Sequence, residues 1–274
     1  MQRLSMLQFQ VSSTESYRLI DGFTLEWSTM NSAGPTNTPP GLRELAIGAR
    51  AAVERALSLV RPQAKRVVVS ELEGYKWNLF LDEPGEVIET CALASAITIM
   101  ATGGESLDSE LLSTSVRTLR QIALKTGGWT SWLTPPGSAD NHEAPLVLDT
   151  FYALRALFLA GQQDCIEFVN GLNWICSAVN PAGAWGFHTQ SAPFVLPTSY
   201  AIRVLLLANP ALQPQAREEM NRGISWLIRV QDPNTGGWGR TEGEFPSTVH
   251  TSLALLALSE AGSDRFHPAM VSST

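Results

Sequence analysis

Residues 222–239 read RGISWLIRVQDPNTGGWG, and this stretch decides the fold. Its first part has the apolar spacing of an amphipathic helix, and Asp-Pro followed by Gly-Gly breaks that helix. Thr251 follows Trp238 after a short loop and opens a segment that is apolar nearly all round. A surface helix, a Gly-Trp turn and an apolar helix in this order predict a helical hairpin with one exposed and one buried helix.

The same order of a Trp, a short loop and a Thr that opens an apolar helix occurs four times. The pairs are Trp77/Thr90, Trp129/Thr150, Trp185/Thr198 and Trp238/Thr251. The separation is identical in three pairs, whereas the loop of the second pair carries an extra stretch. A fixed period predicts a repeat architecture, and its one irregularity is the first place to look for function.

Two types of helix alternate from residue 41 onward. Amphipathic, charged segments predict helices near 41–60, 106–124, 163–178 and 214–230, and segments apolar on most faces predict helices near 86–101, 145–161, 195–208 and 246–261. A helix with one polar face lies at a surface, whereas a helix that is apolar all round is buried. The alternation predicts an all-α fold, an α/α toroid in which antiparallel helical hairpins form an outer and an inner layer. The amino ends of the inner helices then meet at one end of the ring.

The repeated Thr and Gly residues have an expected structural role. A Thr at a helix start can accept a hydrogen bond from a free backbone N–H of the first turn, so we expect the four Thr residues to cap or pack the inner helices. The Gly-Trp pairs at 128–129 and 237–238, and Gly-Ala-Trp at 183–185, would end the outer helices. In that role Gly takes the left-handed conformation and Trp covers the helix end.

The segment 1–40 differs from the rest of the chain. Residues 7–11 alternate apolar and polar side chains, and residues 19–25 hold Asp-Gly between β-forming residues, which predicts a small β-hairpin-like extension. A linker rich in Pro and Gly follows at 32–40. We therefore expect an N-terminal extension over 1–40, the toroid over 41–262 and a C-terminal tail over 263–274.

The composition argues against several kinds of partner. Hydrophobic residues make up 44% of the chain and charged residues 16%, and the net charge is −7. This balance disfavours non-specific binding to nucleic acid or to an anionic membrane surface. The apolar runs are too short to span a bilayer, and MQRLSMLQFQ at the amino end lacks the apolar stretch of a signal peptide. Cys91, Cys165 and Cys176 form no framework and are interpreted as buried thiols, which favours a cytoplasmic location.

The stretch at 222–239 resembles the QW repeat of squalene–hopene cyclases. Arg222, Trp226, Gln231 and Trp238 take the basic, aromatic, Gln and Trp positions of that repeat, whereas the third repeat has Val179 in place of Gln. Together with the periodicity over 41–261, this resemblance identifies the chain as a member of the terpenoid cyclase/protein prenyltransferase superfamily, whose fold is the α/α toroid. Shared architecture does not by itself establish shared chemistry.

Members of that superfamily usually close the ring with more hairpins than the four counted here. Three alternatives remain open. The segment 1–40 and the 61–85 loop complete the ring, the toroid is open, or a second copy or another protein completes it.

The resemblance to squalene–hopene cyclases implies a proton donor. Those enzymes protonate an alkene with an Asp of a DxDD motif on an inner helix, and the equivalent stretch here, residues 146–150, reads LVLDT. The resemblance therefore assigns the acid to Asp149, although the partner Asp that would raise its acidity is missing. The extra stretch before this helix holds Asp140, His142 and Glu143. It is either a solvated polar loop or a lid in which His142 or Glu143 tunes Asp149.

The resemblance to protein prenyltransferases does not extend to their zinc site. Those enzymes bind zinc through an Asp and a Cys at one inner-helix start and a His at the next. His250 matches the His, but Pro197 and Ser199 stand at the Asp and Cys positions and cannot supply that ligand set. Tyr200 matches the Tyr that reaches the diphosphate in those enzymes. We expect no metal site and no cofactor, apart from a divalent cation if a diphosphate is bound.

The residues just before the four Thr residues are Glu89, Asp149, Pro197 and His250. An acid at a helix amino end is favoured by the helix dipole, which explains Glu89 and Asp149 but not His250. The candidates for proton transfer are therefore Asp149 and His250, together with His142 and Glu143 of the long loop.

Arg155 and Arg203 each stand five residues after their Thr in an otherwise apolar helix. If they face the cavity, they can bind an anion such as a diphosphate or a carboxylate. If they face outward, they pair with acidic residues of the outer helices, Glu167, Glu218 or Glu219. Aromatic faces nearby would stabilise a carbocation. The full set of candidates for substrate contact is Glu89, Phe151, Tyr152, Arg155, Trp185, His188, Tyr200, Arg203 and Trp238.

Two functions remain open from the sequence. In the first, an enzyme binds an isoprenoid or another apolar small molecule in the cavity and cyclises or isomerises it by proton transfer from Asp149. In the second, a non-catalytic toroid binds a lipid, a peptide or a protein partner. The missing DxDD and zinc ligands favour the second function. Asp149, the loop acids and the aromatic residues favour the first, which is the leading prediction.

Overall fold

The computed structural model describes residues 40–69, 72–77, 88–133, 144–207 and 214–262. Within these ranges the chain forms eight α-helices: α1 Pro40–Val60, α2 Thr90–Thr102, α3 Glu110–Gln121, α4 Val147–Leu159, α5 Ile166–Ser177, α6 Val195–Leu205, α7 Pro214–Arg229 and α8 Thr248–Glu260. A single 3-10 turn, Arg61–Gln63, follows α1. Each helix lies in a segment for which the sequence predicts one, and the ends differ by a few residues.

The helices form two layers, as the alternation of apolar and amphipathic segments predicts. Helices α2, α4, α6 and α8 pack side by side in chain order, and α1, α3, α5 and α7 pack on them. The face that the inner helices turn toward the outer layer is mostly apolar. In α2, for example, Leu93, Ala96, Ile97 and Met100 are buried at helical spacing. The fold is all-α, an α/α toroid of antiparallel helical hairpins.

A tryptophan joins the end of each outer helix to the loop that follows it. The indole N–H groups donate to carbonyl oxygens in the last turns of the outer helices: Trp77 to Val60 at 2.8 Å, Trp129 to Leu119 at 2.8 Å, Trp185 to Ile175 at 2.8 Å and Trp238 to Leu227 at 2.7 Å. Such carbonyls have no partner within their own helix. The four buried rings therefore satisfy the helix ends that they cover.

Two glycines on outer helices make room for these rings. A Cβ built at Gly171 of α5 would lie 2.7 Å from Cζ3 of Trp129, and one built at Gly223 of α7 would lie 2.6 Å from Cζ3 of Trp185. Any side chain at either position would overlap the ring, so the spacing between layers depends on glycine there.

The left-handed glycines lie in the turns rather than at the helix ends. Gly128 has φ +80° and Gly183 has φ +84°, while α3 ends at Gln121 and α5 at Ser177. The expected glycine cap is therefore wrong for these two helices. The residue does supply the left-handed backbone, but it does so where the chain turns toward the Trp.

The repeated Thr is not a helix cap in three of the four repeats. It is the fourth residue of its helix, and its side-chain oxygen accepts from the backbone N–H of the preceding Trp: Thr150 from Trp129 at 3.0 Å, Thr198 from Trp185 at 3.0 Å and Thr251 from Trp238 at 2.9 Å. The prediction that these residues open and cap their helices is wrong by one turn. Their hydroxyl groups tie each inner helix to its own Trp loop.

Backbone hydrogen bonds between successive repeats fix the register of the inner helices. In α2, α4 and α6 the first residue donates its N–H to the carbonyl two residues after the next Trp: Thr90 to Ser131 at 2.8 Å, Val147 to Phe187 at 3.0 Å and Val195 to Arg240 at 2.9 Å. Thr90 thus corresponds to Val147 and Val195. We call the repeated set of bonds the rim ladder.

The rim ladder corrects the alignment of the first repeat. Thr90 is the first residue of α2, three residues ahead of the position that Thr150 holds in α4. Glu89 is the N-cap residue of α2, whereas Asp149 is the third residue of α4. Glu89 and Asp149 are therefore not equivalent. The Trp77/Thr90 pair has the same separation in sequence as two of the other pairs, but its Thr holds a different position in the helix.

A short β-hairpin packs on the outer layer. Strands β1 Lys65–Val69 and β2 Leu72–Lys76 pair antiparallel, with Val67 opposite Gly74, and β2 lies against α3. This hairpin falls in the 61–85 segment, for which no strands were predicted. The hairpin predicted within residues 1–40, and the tail over 263–274, lie outside the described residues.

Helix α8 is the last inner helix among the described residues and is only half covered. It is apolar over most of its length, yet its fully buried side chains are Ala254, Ala257 and Leu258, and no outer helix follows it before residue 262, where the description ends. The three alternatives for ring closure stay predictions. None of the described helices combines the length and the apolar character that crossing a membrane requires.

Candidate functional site at the amino ends of the inner helices

Asp149 is a buried carboxyl group in the first turn of α4. The residue is 3% exposed, and both carboxyl oxygens accept hydrogen bonds from neighbouring side chains. The thiol of Cys91, the second residue of α2, donates to Oδ1 at 3.0 Å, and the hydroxyl of Ser131 donates to Oδ2 at 3.2 Å. The carboxyl group therefore lies in the seam between α2 and α4.

The rim ladder holds Ser131 in place. Strand β3, Ile88–Glu89, pairs with β4, Trp132–Leu133, directly before α2. Thr90 donates its backbone N–H to the Ser131 carbonyl at 2.8 Å and its hydroxyl to the Thr130 carbonyl at 2.6 Å. Two residues of the long second loop are thereby fixed on the start of α2. The Ser131 hydroxyl reaches Asp149 from that fixed position.

Burial decides the protonation of this cluster. Removal from water raises the pKa of Asp149, and the hydrogen bonds from Cys91 and Ser131 act in the opposite direction because they stabilise the carboxylate. Burial also holds the pKa of the Cys91 thiol well above its usual range, and the nearby Asp149 charge adds to that effect. Cys91 is therefore a neutral donor, and Asp149 keeps its proton to higher pH than an ordinary aspartic acid does.

The raised pKa of Asp149 makes the stability of the fold depend on pH. The folded state binds the Asp149 proton more tightly than the unfolded state does, so the unfolding free energy falls as pH rises from the ordinary Asp pKa, about 3.9, through the raised one. Each tenfold difference in proton affinity between the two states corresponds to about 1.4 kcal/mol. We expect Asp149→Asn, which cannot ionise, to gain stability relative to the wild type across that window, as measured by urea unfolding at a series of pH values.

Asp232 provides a control of opposite sign for this experiment. Backbone N–H groups of Thr235 and Asn234 donate to its carboxylate and lower its pKa, and its side chain lies at the surface. Stabilisation by Asp232 is present above the unfolded pKa and is lost as pH falls through the folded one. Asp232→Asn should therefore lose stability relative to the wild type as pH rises. The same pH trend in both variants would contradict the assignment to Asp149.

One stripe of the inner helices faces the hollow of the toroid. It consists of the second, sixth and ninth residues of each inner helix, which share one face opposite the outer layer. Nine of these twelve residues are half-buried, whereas the face toward the outer layer is buried in α2, α4 and α6. The stripe holds Cys91, Ser95, Thr98, Leu148, Tyr152, Arg155, Leu196, Tyr200, Arg203, Val249, Leu253 and Leu256.

The predicted aromatic residues form one cluster between α4 and α6. The ring centroids of Phe151 and Tyr200 lie 4.4 Å apart, those of Phe151 and Tyr152 lie 5.3 Å apart, and those of Tyr152 and Tyr200 lie 6.0 Å apart. Tyr152 and Tyr200 stand at equivalent positions of the stripe that faces the hollow. The structure therefore brings these three candidates together.

Arg203 contacts this aromatic cluster and pairs with an unexpected acid. Its guanidinium carbon lies 5.3 Å from the ring centroid of Phe151 and 5.9 Å from that of Tyr200. Its Nε and Nη2 donate to the two carboxylate oxygens of Glu260 on α8, at 2.8 and 3.1 Å. Of the two alternatives for Arg203, the pairing with Glu167, Glu218 or Glu219 of the outer helices does not hold, because its partner is Glu260 of the inner helix α8.

The outer-layer acids have other partners. Glu167 binds Arg120 at 2.9 Å, and Glu219 binds Arg222 at 2.7 Å. Arg155 occupies the same helix position in α4 as Arg203 does in α6 and is half-buried. The two arginines therefore share the face that lines the hollow.

Of the remaining candidates for proton transfer, the structure describes only His250, which lies away from Asp149. His142 and Glu143 lie outside the described residues, as does Asp140. His250 is the third residue of α8, with α6 between its helix and α4. Its Nδ1 lies 2.7 Å from the Ser247 hydroxyl, and burial lowers its pKa. His188 is exposed in the loop before α6, with Nδ1 2.9 Å from the Thr189 carbonyl.

Among the other substrate-contact candidates, Trp185 and Trp238 lie between the layers, where their indoles cover helix ends. Neither ring borders the hollow. Glu89 neighbours Cys91 and opposes Trp132 in the β3–β4 pair. It also contributes to the raised pKa of Cys91.

Sequence reasoning missed three residues of the site: Cys91, Ser131 and Glu260. Cys91 was assigned only as a buried thiol, and its link to Asp149 depends on the side-by-side packing of α2 and α4. Ser131 follows Thr130 in the second loop, and only the rim ladder brings it to α2. Glu260 closes a pair with Arg203 over 57 residues of chain. In the sequence, the one feature that could have pointed to Glu260 is that it is a lone acid at the end of an apolar helix.

The described residues hold no group of three or more His, Cys, Asp or Glu side chains arranged to bind a metal ion. At the positions compared with a zinc site, Pro197 is buried and the Ser199 hydroxyl donates to the Val195 carbonyl at 2.7 Å. The hydroxyl group of Ser199 is thus engaged within its own helix.

By sequence, the chain matches no protein-family model and no curated protein. By structure, it is similar to known α/α toroids. An apo variant of the type II terpene cyclase MstE from Scytonema gives a TM-score of 0.62 at 15% identity, over 82% of this chain and 60% of the cyclase chain. Another MstE variant, in complex with geranylgeranyl dihydroxybenzoate as substrate, gives a TM-score of 0.60 at 15% identity, over 82% of this chain and 61% of the cyclase chain. A possible member of the GH105 family from Klebsiella pneumoniae gives a TM-score of 0.56 at 13% identity, over 78% of this chain and 65% of that protein.

These similarities confirm the toroid fold that the resemblance of the sequence implies. Because the identities are 15% or lower, they establish the fold alone. The chain spans about 60% of the length of the cyclase chains that it matches. Gln231, the Gln of the QW-like stretch, donates to the Gly236 carbonyl at 2.7 Å, within the turn before Trp238.

Proposed function

We propose that the protein is a terpenoid-cyclase-like enzyme that binds an isoprenoid in the hollow of the toroid and cyclises or isomerises it after proton transfer from Asp149. The observation that carries the proposal is the buried Asp149 carboxyl group, whose pKa is raised and which lies one hydrogen bond from Cys91 on the stripe that faces the hollow. A general acid for an alkene must hold a proton when the substrate binds and must lie in a site closed to water, and the raised pKa and the burial of Asp149 act in that direction.

The reaction proceeds without an oxidant or a reductant. The O–H bond of Asp149 breaks as its proton forms a C–H bond with one alkene carbon, and the π electrons leave a carbocation at the other carbon. Loss of a proton from a carbon further along forms the product alkene, and Asp149 regains a proton from solvent. The hydrogen bonds from Cys91 and Ser131 stabilise the carboxylate left behind, so both act as positioning residues.

The aromatic cluster supports the same chemistry. A carbocation formed near Asp149 is attracted by the faces of aromatic rings, and Tyr152 and Tyr200 lie on the stripe that faces the hollow, close to Phe151. The similarity of the fold to a type II terpene cyclase makes prenyl compounds the first substrates to test, although the substrate in that complex belongs to that enzyme.

The experiment that tests the proposal is turnover in D₂O. The purified protein is incubated with acyclic prenyl alcohols, phosphates and prenylated aromatic acids, and the products are analysed by mass spectrometry. Because the carboxyl proton of Asp149 exchanges with solvent, the expected product is an isomer of the substrate that carries one deuterium at the protonated carbon. A product without deuterium, or no product from any member of this panel, would overturn the proposal.

A second candidate is a non-catalytic toroid that binds a lipid, a peptide or a protein. It is favoured by the internal pairing of the polar groups: both Asp149 oxygens accept hydrogen bonds from this chain, and Arg203 is held by Glu260. Calorimetry with the same prenyl compounds separates the two candidates, since the second predicts binding without any product.

A further inference from the structure

We propose that the Glu260 carboxylate occupies, on Arg203, the place of the anionic headgroup of an apolar-chain ligand, and that such a ligand binds by displacing Glu260. This inference rests on the proposed function only in taking the hollow of the toroid as the ligand site. It adds the chemical class of the ligand and a group of this chain that competes with it.

The first observation is a charged pair inside an apolar layer. The Arg203 side chain is 5% exposed and the Glu260 side chain 20% exposed, and they meet in a two-point contact. Two charges taken out of water lose hydration that their mutual attraction only partly restores, and apolar residues often stabilise a core as well or better. Stability alone therefore does not explain an Arg at this position.

The second observation is that the guanidinium group is fixed from several sides. Phe151 of α4 and Tyr200 of α6 lie under it at 5.3 and 5.9 Å, and Glu260 approaches from α8. A planar guanidinium with fixed orientation presents paired N–H donors that match the oxygens of a carboxylate or a phosphate. Glu260 uses that geometry, and a ligand carboxylate or phosphate fits the same donors.

The third observation is that Glu260 is the easier partner to move. It is the last residue of α8, the least covered inner helix, and the last turn of a helix opens at low free-energy cost. Arg203 lies inside α6, between the neighbouring inner helices α4 and α8. An incoming anion therefore displaces Glu260 into solvent and leaves the guanidinium paired, so no buried charge is left alone.

The position of the pair suits a ligand that also reaches Asp149. Asp149 is the third residue of α4 and Arg203 the ninth residue of the parallel helix α6, a difference of ~9 Å of helix rise. The aromatic cluster lies between these two depths. A ligand with an anionic headgroup at Arg203 would therefore place its apolar chain along the aromatic rings toward the acid.

The test measures how headgroup charge affects affinity by calorimetry on the full chain. Farnesyl phosphate and farnesoate carry a phosphate and a carboxylate headgroup on the same chain, and farnesol is the neutral reference. We expect Glu260→Gln to bind the anionic ligands about tenfold more tightly than the wild type and to change farnesol binding by less than about twofold. Arg203→Gln should bind the phosphate and farnesol with equal affinity.

Glu244→Gln is the matched control. Glu244 binds Arg240 at 2.8 Å, and Arg240 lies over Phe194 at 5.9 Å, so this pair has the same chemistry at an exposed position. An equal gain in Glu244→Gln, or no gain in Glu260→Gln, would overturn the proposal. If circular dichroism shows that Arg203→Gln does not fold, the comparison of Glu260→Gln with Glu244→Gln still tests the proposal.

Two further results separate this inference from the proposed function. Dodecyl phosphate carries the anion on a chain without an alkene. Tighter binding of dodecyl phosphate by Glu260→Gln, with no turnover of any prenyl compound, would support the inference and contradict the enzyme. Turnover of a prenyl compound, with affinities for the anionic ligands that are the same in Glu260→Gln and the wild type, would support the enzyme and contradict the inference.

Discussion

Asp149→Asn is expected to lower the turnover of a prenyl substrate by about 10³-fold or more, because general acid catalysis typically contributes 10²- to 10⁴-fold and no other described acid lies at this position. The amide has nearly the shape of the carboxylic acid, and its oxygen can accept from Cys91 or Ser131 as Asp149 does. It cannot release a proton to an alkene. The rate of product formation at saturating substrate measures the effect.

Folding and binding must be intact for this result to bear on catalysis. The circular dichroism spectrum and the affinity for a substrate should match those of the wild type. Asp232→Asn is the control variant, because it removes an exposed carboxylate that contacts only its own turn. Turnover in Asp149→Asn within a few-fold of the wild type would show that Asp149 is not the acid, and the proposed mechanism would fail.

Trp185→Ala is expected to destabilise the fold by ~3–5 kcal/mol, the range typical of removing a large buried aromatic side chain. The ring is fully buried, its N–H donates to the Ile175 carbonyl at 2.8 Å, and it fills the space that Gly223 leaves. Removal of the ring opens a cavity between the layers and leaves the Ile175 carbonyl with only the longer bond from the Ala178 N–H, at 3.2 Å. Urea unfolding followed by circular dichroism measures the change in free energy.

Two further variants separate the contributions to this loss. Trp185→Phe keeps most of the ring but loses the hydrogen bond, and we expect it to cost about 1–3 kcal/mol. Phe245→Ala removes an aromatic side chain that is 96% exposed and should leave the unfolding free energy nearly unchanged. A loss in Trp185→Ala no larger than that in Phe245→Ala would refute the structural role assigned to the repeated Trp.

The fold was largely predictable because its signal is local. Apolar and amphipathic segments differ in composition over the length of a single helix, and this difference located all eight described helices. The Trp pattern predicted the hairpins for the same reason, since each Trp binds a helix end 10 to 17 residues away. The layers follow once the two helix types are known.

The candidate site was less predictable because it depends on register between helices. Asp149 could be named from a motif, but its partners Cys91 and Ser131 come from another helix and another loop. An alignment based on Thr90 was off by three residues, nearly a full turn, and such an error assigns a residue to the wrong part of the site. The partner of Arg203, Glu260, could not be predicted for a similar reason. A single chain does not reveal which face of α6 meets the end of α8.

The bonds that tie each inner helix to its own Trp loop also bear on how such a molecule can acquire new specificity. The backbone N–H of Leu146 donates to the Trp129 carbonyl at 2.8 Å, and the Trp129 N–H in turn donates to Thr150, so the two ends of the long second loop are closed by bonds that do not involve its middle. The entropy of closing a loop rises only slowly with its length. Insertions and deletions between residues 133 and 144 can therefore accumulate without disturbing the scaffold. In protein engineering, this loop is the natural site for grafting or randomising sequence.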